Sequence, residues 1–133
     1  MKTNELRIGN WIKYEDKLVQ VVQLSSLMIL CQRDENQFLV NCAPKEFQPI
    51  ELTEEVLVNI GFEKINDCYT LQNEYICFAY YKDSFKQELV AGVKRKGKCL
   101  CHINELKNYD IKYLHQLQNA YYCLTSEELN IEL

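Results

Sequence analysis

Between residues 6 and 52 no apolar stretch runs longer than a β-strand, and turn residues close each one off, so this half of the chain must fold as short strands pairing with their neighbours. The reading places strands over residues 10–14, 18–24, 27–32, 37–41 and 47–51. Glu15-Asp16, Ser25-Ser26 and Arg33-Asp34-Glu35-Asn36 form separators between them. β-Branched and aromatic residues fill the strands, and gaps this short favour hairpins, which predicts an antiparallel meander curled into a small SH3-like barrel. Gly9 ahead of Asn10-Trp11 marks a backbone bend that a side chain would obstruct, and Pro49 assigns the last strand to a sheet edge.

Beyond residue 52 the period changes. Thr53 offers an N-cap, Glu54 and Glu55 complement the helix dipole, Val56, Leu57 and Ile60 share an apolar face, and Gly61 is a left-handed C-cap. This is a helix of about two turns. Strands follow over residues 62–65, 68–71, 75–81, 88–93 and 98–103, with turns at Asn66-Asp67, Gln72-Asn73-Glu74 and Arg95-Lys96-Gly97. Residues 75–81 are apolar or aromatic on both faces, as in a strand covered on both sides. The expected cover is a C-terminal helix running from near Asp110 to near Leu124. Its apolar face collects Ile111, Tyr113, Leu114, Leu117, Ala120, Tyr121 and Leu124, and its polar face Lys112, His115, Gln116, Asn119 and Tyr122. A capped turn over 125–129 and a short edge strand over 130–133 complete the reading. The fold class is α+β: a barrel-like β subdomain over 1–52, then an antiparallel sheet with the C-terminal helix over 53–133. One shared core or two is compatible with the pattern.

With 133 residues, 47% of them apolar and 26% charged, the chain has enough material for one respectable core and none of the charge excess that keeps chains disordered. Residues 1–5 run into an amphipathic stretch with no apolar signal region, and no apolar run approaches the roughly 20 residues needed to cross a bilayer. A cytoplasmic protein with no membrane association is expected. The seven cysteines cannot all pair internally, which suits a reducing compartment. A formal charge of −4 opposes non-specific binding to nucleic acid unless the cations are concentrated on one face.

Two segments carry a resemblance. Asn4-Glu5-Leu6-Arg7-Ile8-Gly9-Asn10-Trp11-Ile12 and Tyr113-Leu114-His115-Gln116-Leu117-Gln118-Asn119-Ala120-Tyr121, with Leu124-Thr125-Ser126-Glu127-Glu128-Leu129 after it, resemble a family of small uncharacterised proteins from gut anaerobic bacteria and their phages or mobile elements. Pro49-Ile50-Glu51-Leu52-Thr53-Glu54-Glu55 and Gly61-Phe62 fit the same pattern. The resemblance implies a cytoplasmic bacterial or phage-borne protein and brings no catalytic residues with it.

Three constellations could carry chemistry. Cys99, Cys101 and His102 form a Cys-x-Cys-His run, but on a strand the two thiols share one face and the imidazole takes the other, so buried thiols and a hydrogen-bonded histidine are favoured over a metal site. His115, Asn119 and Tyr122 line one stripe of the C-terminal helix, the candidate partner-binding patch; its competing reading is a covered face satisfying backbone groups. Lys94, Arg95, Lys96 and Lys98 gather at a hairpin tip, a candidate phosphate contact or simply a solvated turn, with Trp11 and Tyr14 as stacking surface if they face the same way. Trp11 itself reads as a core anchor, and the pairs Glu54-Glu55 and Glu127-Glu128 as first-turn helix charges. There is no P-loop, dinucleotide-binding glycine pattern or nucleophile elbow. The sequence therefore favours a non-enzymatic binding or accessory protein, monomeric or homodimeric, without a cofactor and recognising a protein partner, with nucleic-acid binding through the basic tip as the alternative.

Overall fold

The computed structural model describes residues 1–33, 39–66, 68–72, 76–82, 87–95, 98–103 and 111–132. They form two compact units, Met1–Glu51 with Tyr113–Leu129, and Leu52–Lys112 with Asn130–Leu133. In chain order the architecture is the expected one: a curled antiparallel sheet, a short helix, a second antiparallel sheet and a C-terminal helix.

The first unit holds β1 (Trp11–Tyr14), β2 (Lys17–Leu24), β3 (Ile29–Gln32), β4 (Leu39–Cys42) and β5 (Phe47–Gln48). Their order is β4-β3-β2-β1-β5, so the meander turns back and lays its last strand beside its first, as an SH3-like half-barrel does. β5 is an edge strand, and Pro49 directly after it has no N–H to offer a further partner. Between β1 and β2 the Tyr14–Lys17 pair leaves a two-residue turn. Glu15 and Asp16 both take positive φ there, 46° and 61°, the geometry that matches strand twist.

Alternation puts Ile12, Val19, Val21, Ile29, Cys31, Val40 and Phe47 into one buried cluster with Leu6, and each large aliphatic or aromatic side chain there contributes about 1.5–3 kcal/mol. Trp11 departs from the core-anchor reading. Ile12 is fully buried and Trp11, on the opposite face of β1, is only half-buried. Tyr14 packs on the Ile12 side, against the cluster and Phe47, so Trp11 and Tyr14 build no common stacking surface.

In the second unit, α1 (Glu54–Asn59) starts where Thr53 accepts the Val56 N–H at 3.2 Å, with Glu54 and Glu55 in its first turn. Gly61 stops it at φ 97°, and the Phe62 N–H returns to the Leu57 carbonyl at 2.9 Å. The strands β6 (Glu63–Ile65), β7 (Cys68–Gln72), β8 (Ile76–Lys82), β9 (Gln87–Arg95) and β10 (Lys98–Ile103) pair in simple sequence order. Leu57, Ile60, Phe62, Tyr69, Phe78 and Tyr80 are buried, and the Tyr80 hydroxyl donates to the Ile111 carbonyl at 3.0 Å.

The C-terminal helix α2 spans Leu114–Thr125, a later start than the apolar periodicity predicts. Backbone pairing outcompetes helix over the preceding residues. The Lys112 carbonyl accepts the Leu52 N–H at 2.9 Å, and Tyr113 bridges Glu51 antiparallel. Asp110, the expected start, lies outside the described residues. The helix groups with the first unit. Ser126 ends it in the left-handed conformation, and residues 130–132 do not form the expected edge strand. Glu127 and Glu128 therefore follow a helix rather than begin one.

Candidate functional site

Gly9 takes φ 93°, a conformation open to glycine and strained for other residues, and this bend points the next peptide groups at α2. The Gly9 N–H donates to the Val21 carbonyl at 2.8 Å and the Val21 N–H to the Asn10 carbonyl at 2.9 Å, extending the β1–β2 ladder through the bend. Asn10 is fully buried. Its Oδ1 accepts the Arg7 N–H at 2.8 Å and its Nδ2 donates to Asn119 Oδ1 at 3.0 Å.

From the helix side, Gln118 Oε1 accepts the Trp11 N–H at 2.9 Å while its Nε2 donates to the Gly9 carbonyl at 3.1 Å, which also receives Gln20 Nε2 at 3.1 Å. Asn119 Nδ2 donates to the Glu5 carbonyl at 3.0 Å. Two buried amides thus bridge the opening loop and the helix with their polar groups satisfied, as a buried network must be if it is to stabilise rather than cost.

At the rim of this network Arg7 reaches the surface. Its guanidinium pairs with Glu128 through two N–H···O contacts, Nη2 to Oε2 at 2.9 Å, and lies over the Tyr122 ring with Cζ 4.1 Å from the centroid. The Arg7 hydrogen bond holds the Glu128 carboxyl below its ordinary range, and the same bond raises Arg7. Both side chains meet solvent, so the pair is worth less as stability than as geometry. It fixes a cation on an aromatic face beside Ile8, whose carbonyl receives Arg7 Nη1 at 3.4 Å. Ile8 is 58% exposed and Tyr122 39%.

The expected His115, Asn119 and Tyr122 stripe is therefore split. Tyr122 is at the surface, Asn119 is committed to Asn10, Glu5 and Arg7, and His115 is 1% exposed. A three-residue exposed patch does not form, because His115 is buried and Asn119, together with Gln118, faces residues 5–11 and satisfies their backbone groups, as the competing covered-face reading has it for Asn119. Arg7, Gln118 and Glu128 were missed. Gln118 carried a legible signal: it lies four residues after Leu114 and three before Tyr121, at the border of the apolar face, where an uncharged polar residue needs a buried partner.

Of the basic tip, the backbone register is described, with Lys98 opposite Arg95 and Lys94 opposite Cys99. Lys96 and the side chains of Lys94, Arg95 and Lys98 lie outside the described residues, as do those of Cys99, Cys101 and His102. Among the described residues no group of three or more His, Cys, Asp or Glu side chains is placed to hold a metal ion. Burial pushes the Cys31 thiol up to about 12, with Cys42 adding to the shift, which leaves Cys31 protonated and unreactive at neutral pH. No helix among the described residues is long and apolar enough to cross a membrane. Comparison with family models, curated proteins and solved structures finds no match for the chain.

Proposed function

We propose that the protein is a non-enzymatic cytoplasmic binding or accessory module that recognises a protein partner through the surface formed by Ile8, Arg7 and Tyr122. One observation supports this above the others: a buried amide network and an Arg7–Glu128 fork hold an exposed tyrosine and its stacked guanidinium in one arrangement beside an exposed isoleucine. Tyrosine and arginine dominate binding hot spots, and a preformed pair loses little side-chain entropy on association. The test is a partner captured from host cytosol, purified, and titrated against wild type and the Ile8→Asp, Tyr122→Ala double variant. Loss of a hot spot of this kind weakens binding about 10- to 30-fold. Unchanged affinity for that purified partner would place recognition elsewhere.

A second reading is nucleic-acid binding through the tip of the β9–β10 hairpin. It is favoured by the register, which puts Lys94, Arg95 and Lys98 in the last rungs of the ladder. Reversal of Lys94, Arg95 and Lys96 to glutamate is expected to abolish salt-sensitive retention on single- or double-stranded nucleic acid. Retention that survives the reversal unchanged removes this reading.

A further inference from the structure

His115 occupies the first turn of α2 at 1% exposure, and neither ring nitrogen has a hydrogen-bonding partner among the described residues. Its ring stacks on Tyr113 at 5.8 Å between centroids and 9° between planes. A buried histidine is ordinarily satisfied by at least one hydrogen bond, so an imidazole with neither nitrogen engaged is tolerated only while it is neutral. Three titratable groups act on it from the surrounding segments. These are the Glu5 carboxylate in the turn Thr3–Glu5, the Met1 ammonium, and the Tyr113 phenol stacked against it. Glu5 is exposed, and its backbone carbonyl is tied to α2 through Asn119.

We propose that His115 is an acid-operated release for the start of α2: on taking a proton from solvent the ring leaves its buried site toward the Glu5 carboxylate, undocking residues 114–117 from the first unit. The neutral state is stacked and buried, and the charged state is solvated and paired. Burial pushes the His115 pKa below its ordinary 6.5, the Met1 ammonium pushes the same way, and Glu5 partly offsets both. The opened state therefore binds the proton more tightly than the docked one. Docking is fully present above pH 6.5 and weakens as pH falls below it, until the docked ring itself protonates. This inference is independent of the surface proposed for partner recognition.

The experiment is an NMR titration of the whole chain from pH 7.5 to 5, following the His115 ring and the exchange-corrected protection of the Leu117 and Gln118 amides. The ring is expected to titrate below 6.5. Protection at those amides falls by up to about tenfold per pH unit below that point, while the Ile12 and Val21 amides hold. His102→Gln keeps this slope, and His115→Leu flattens it. Should His115→Leu fail to fold, the wild-type titration decides alone. A ring titrating at or above its ordinary value, or protection flat across the range, overturns the proposal.

Discussion

Replacing Asn10 with alanine is expected to cost about 2–4 kcal/mol, seen as a lower denaturant midpoint at unchanged slope. The side chain is fully buried and serves as both acceptor and donor, taking the Arg7 N–H at 2.8 Å and giving to Asn119 Oδ1 at 3.0 Å. Alanine removes both, leaves the Arg7 N–H without an acceptor in a part-buried loop, and opens a void where the amide stood. Trp11 is the only tryptophan and sits beside this site in β1, so its fluorescence reports the first unit directly. Gln118→Leu keeps volume on the helix side while stripping the Trp11 N–H of its partner and costs about 1–3 kcal/mol. The double variant tests whether the bridge is one unit. Coupling of more than about 0.5 kcal/mol is expected, because Asn10 Nδ2 lies 3.5 Å from Gln118 Oε1 and both side chains bind backbone groups of the same bend. Strict additivity would mean that each amide acts alone.

How much of this could be read in advance follows from which forces are local. The strands of both sheets, the Thr53 cap, the Gly61 stop and the edge position set by Pro49 were legible because each rests on a few neighbouring residues. The start of α2 was not. Periodicity runs smoothly through Ile111–Tyr113, and long-range pairing, of Lys112 with Leu52 and of Tyr113 with Glu51 some 60 residues away, holds that segment extended. The docking side of α2 was legible only as one of two readings, for a related reason. His115 and Asn119 are polar, so hydropathy assigns them to solvent, yet the helix meets an opening loop whose own peptide groups need partners. Gln118 and Asn119 supply these, and His115 is buried in the same docked helix without supplying any. Residues 4–12 and 113–121 lie far apart in sequence and meet side chain to backbone across this bend, so substitutions in one are constrained by the other.

Tyr80→Ala is expected to destabilise the second unit by about 3–5 kcal/mol, the largest effect of any single change considered, because a ring with no exposed surface leaves a cavity that β8 cannot close by collapse. Tyr80→Phe separates the ring from the hydroxyl. It retains the ring and removes the hydroxyl that donates to the Ile111 carbonyl at 3.0 Å, at an expected cost of about 1–2 kcal/mol. The two variants differ in where the damage falls. Ile111 is followed directly by Lys112, whose carbonyl receives the Leu52 N–H at 2.9 Å, so freeing the Ile111 carbonyl loosens that pairing first. Hydrogen exchange is expected to show the Leu52 amide accelerating in Tyr80→Phe while the β7 and β8 amides keep their protection, and all three accelerating together in Tyr80→Ala. If Tyr80→Phe left Leu52 unchanged, the hydroxyl would be a satisfied group without a tethering role. If it cost as much as alanine, the hydrogen bond rather than the ring would be what holds residues 111–112 in the second unit.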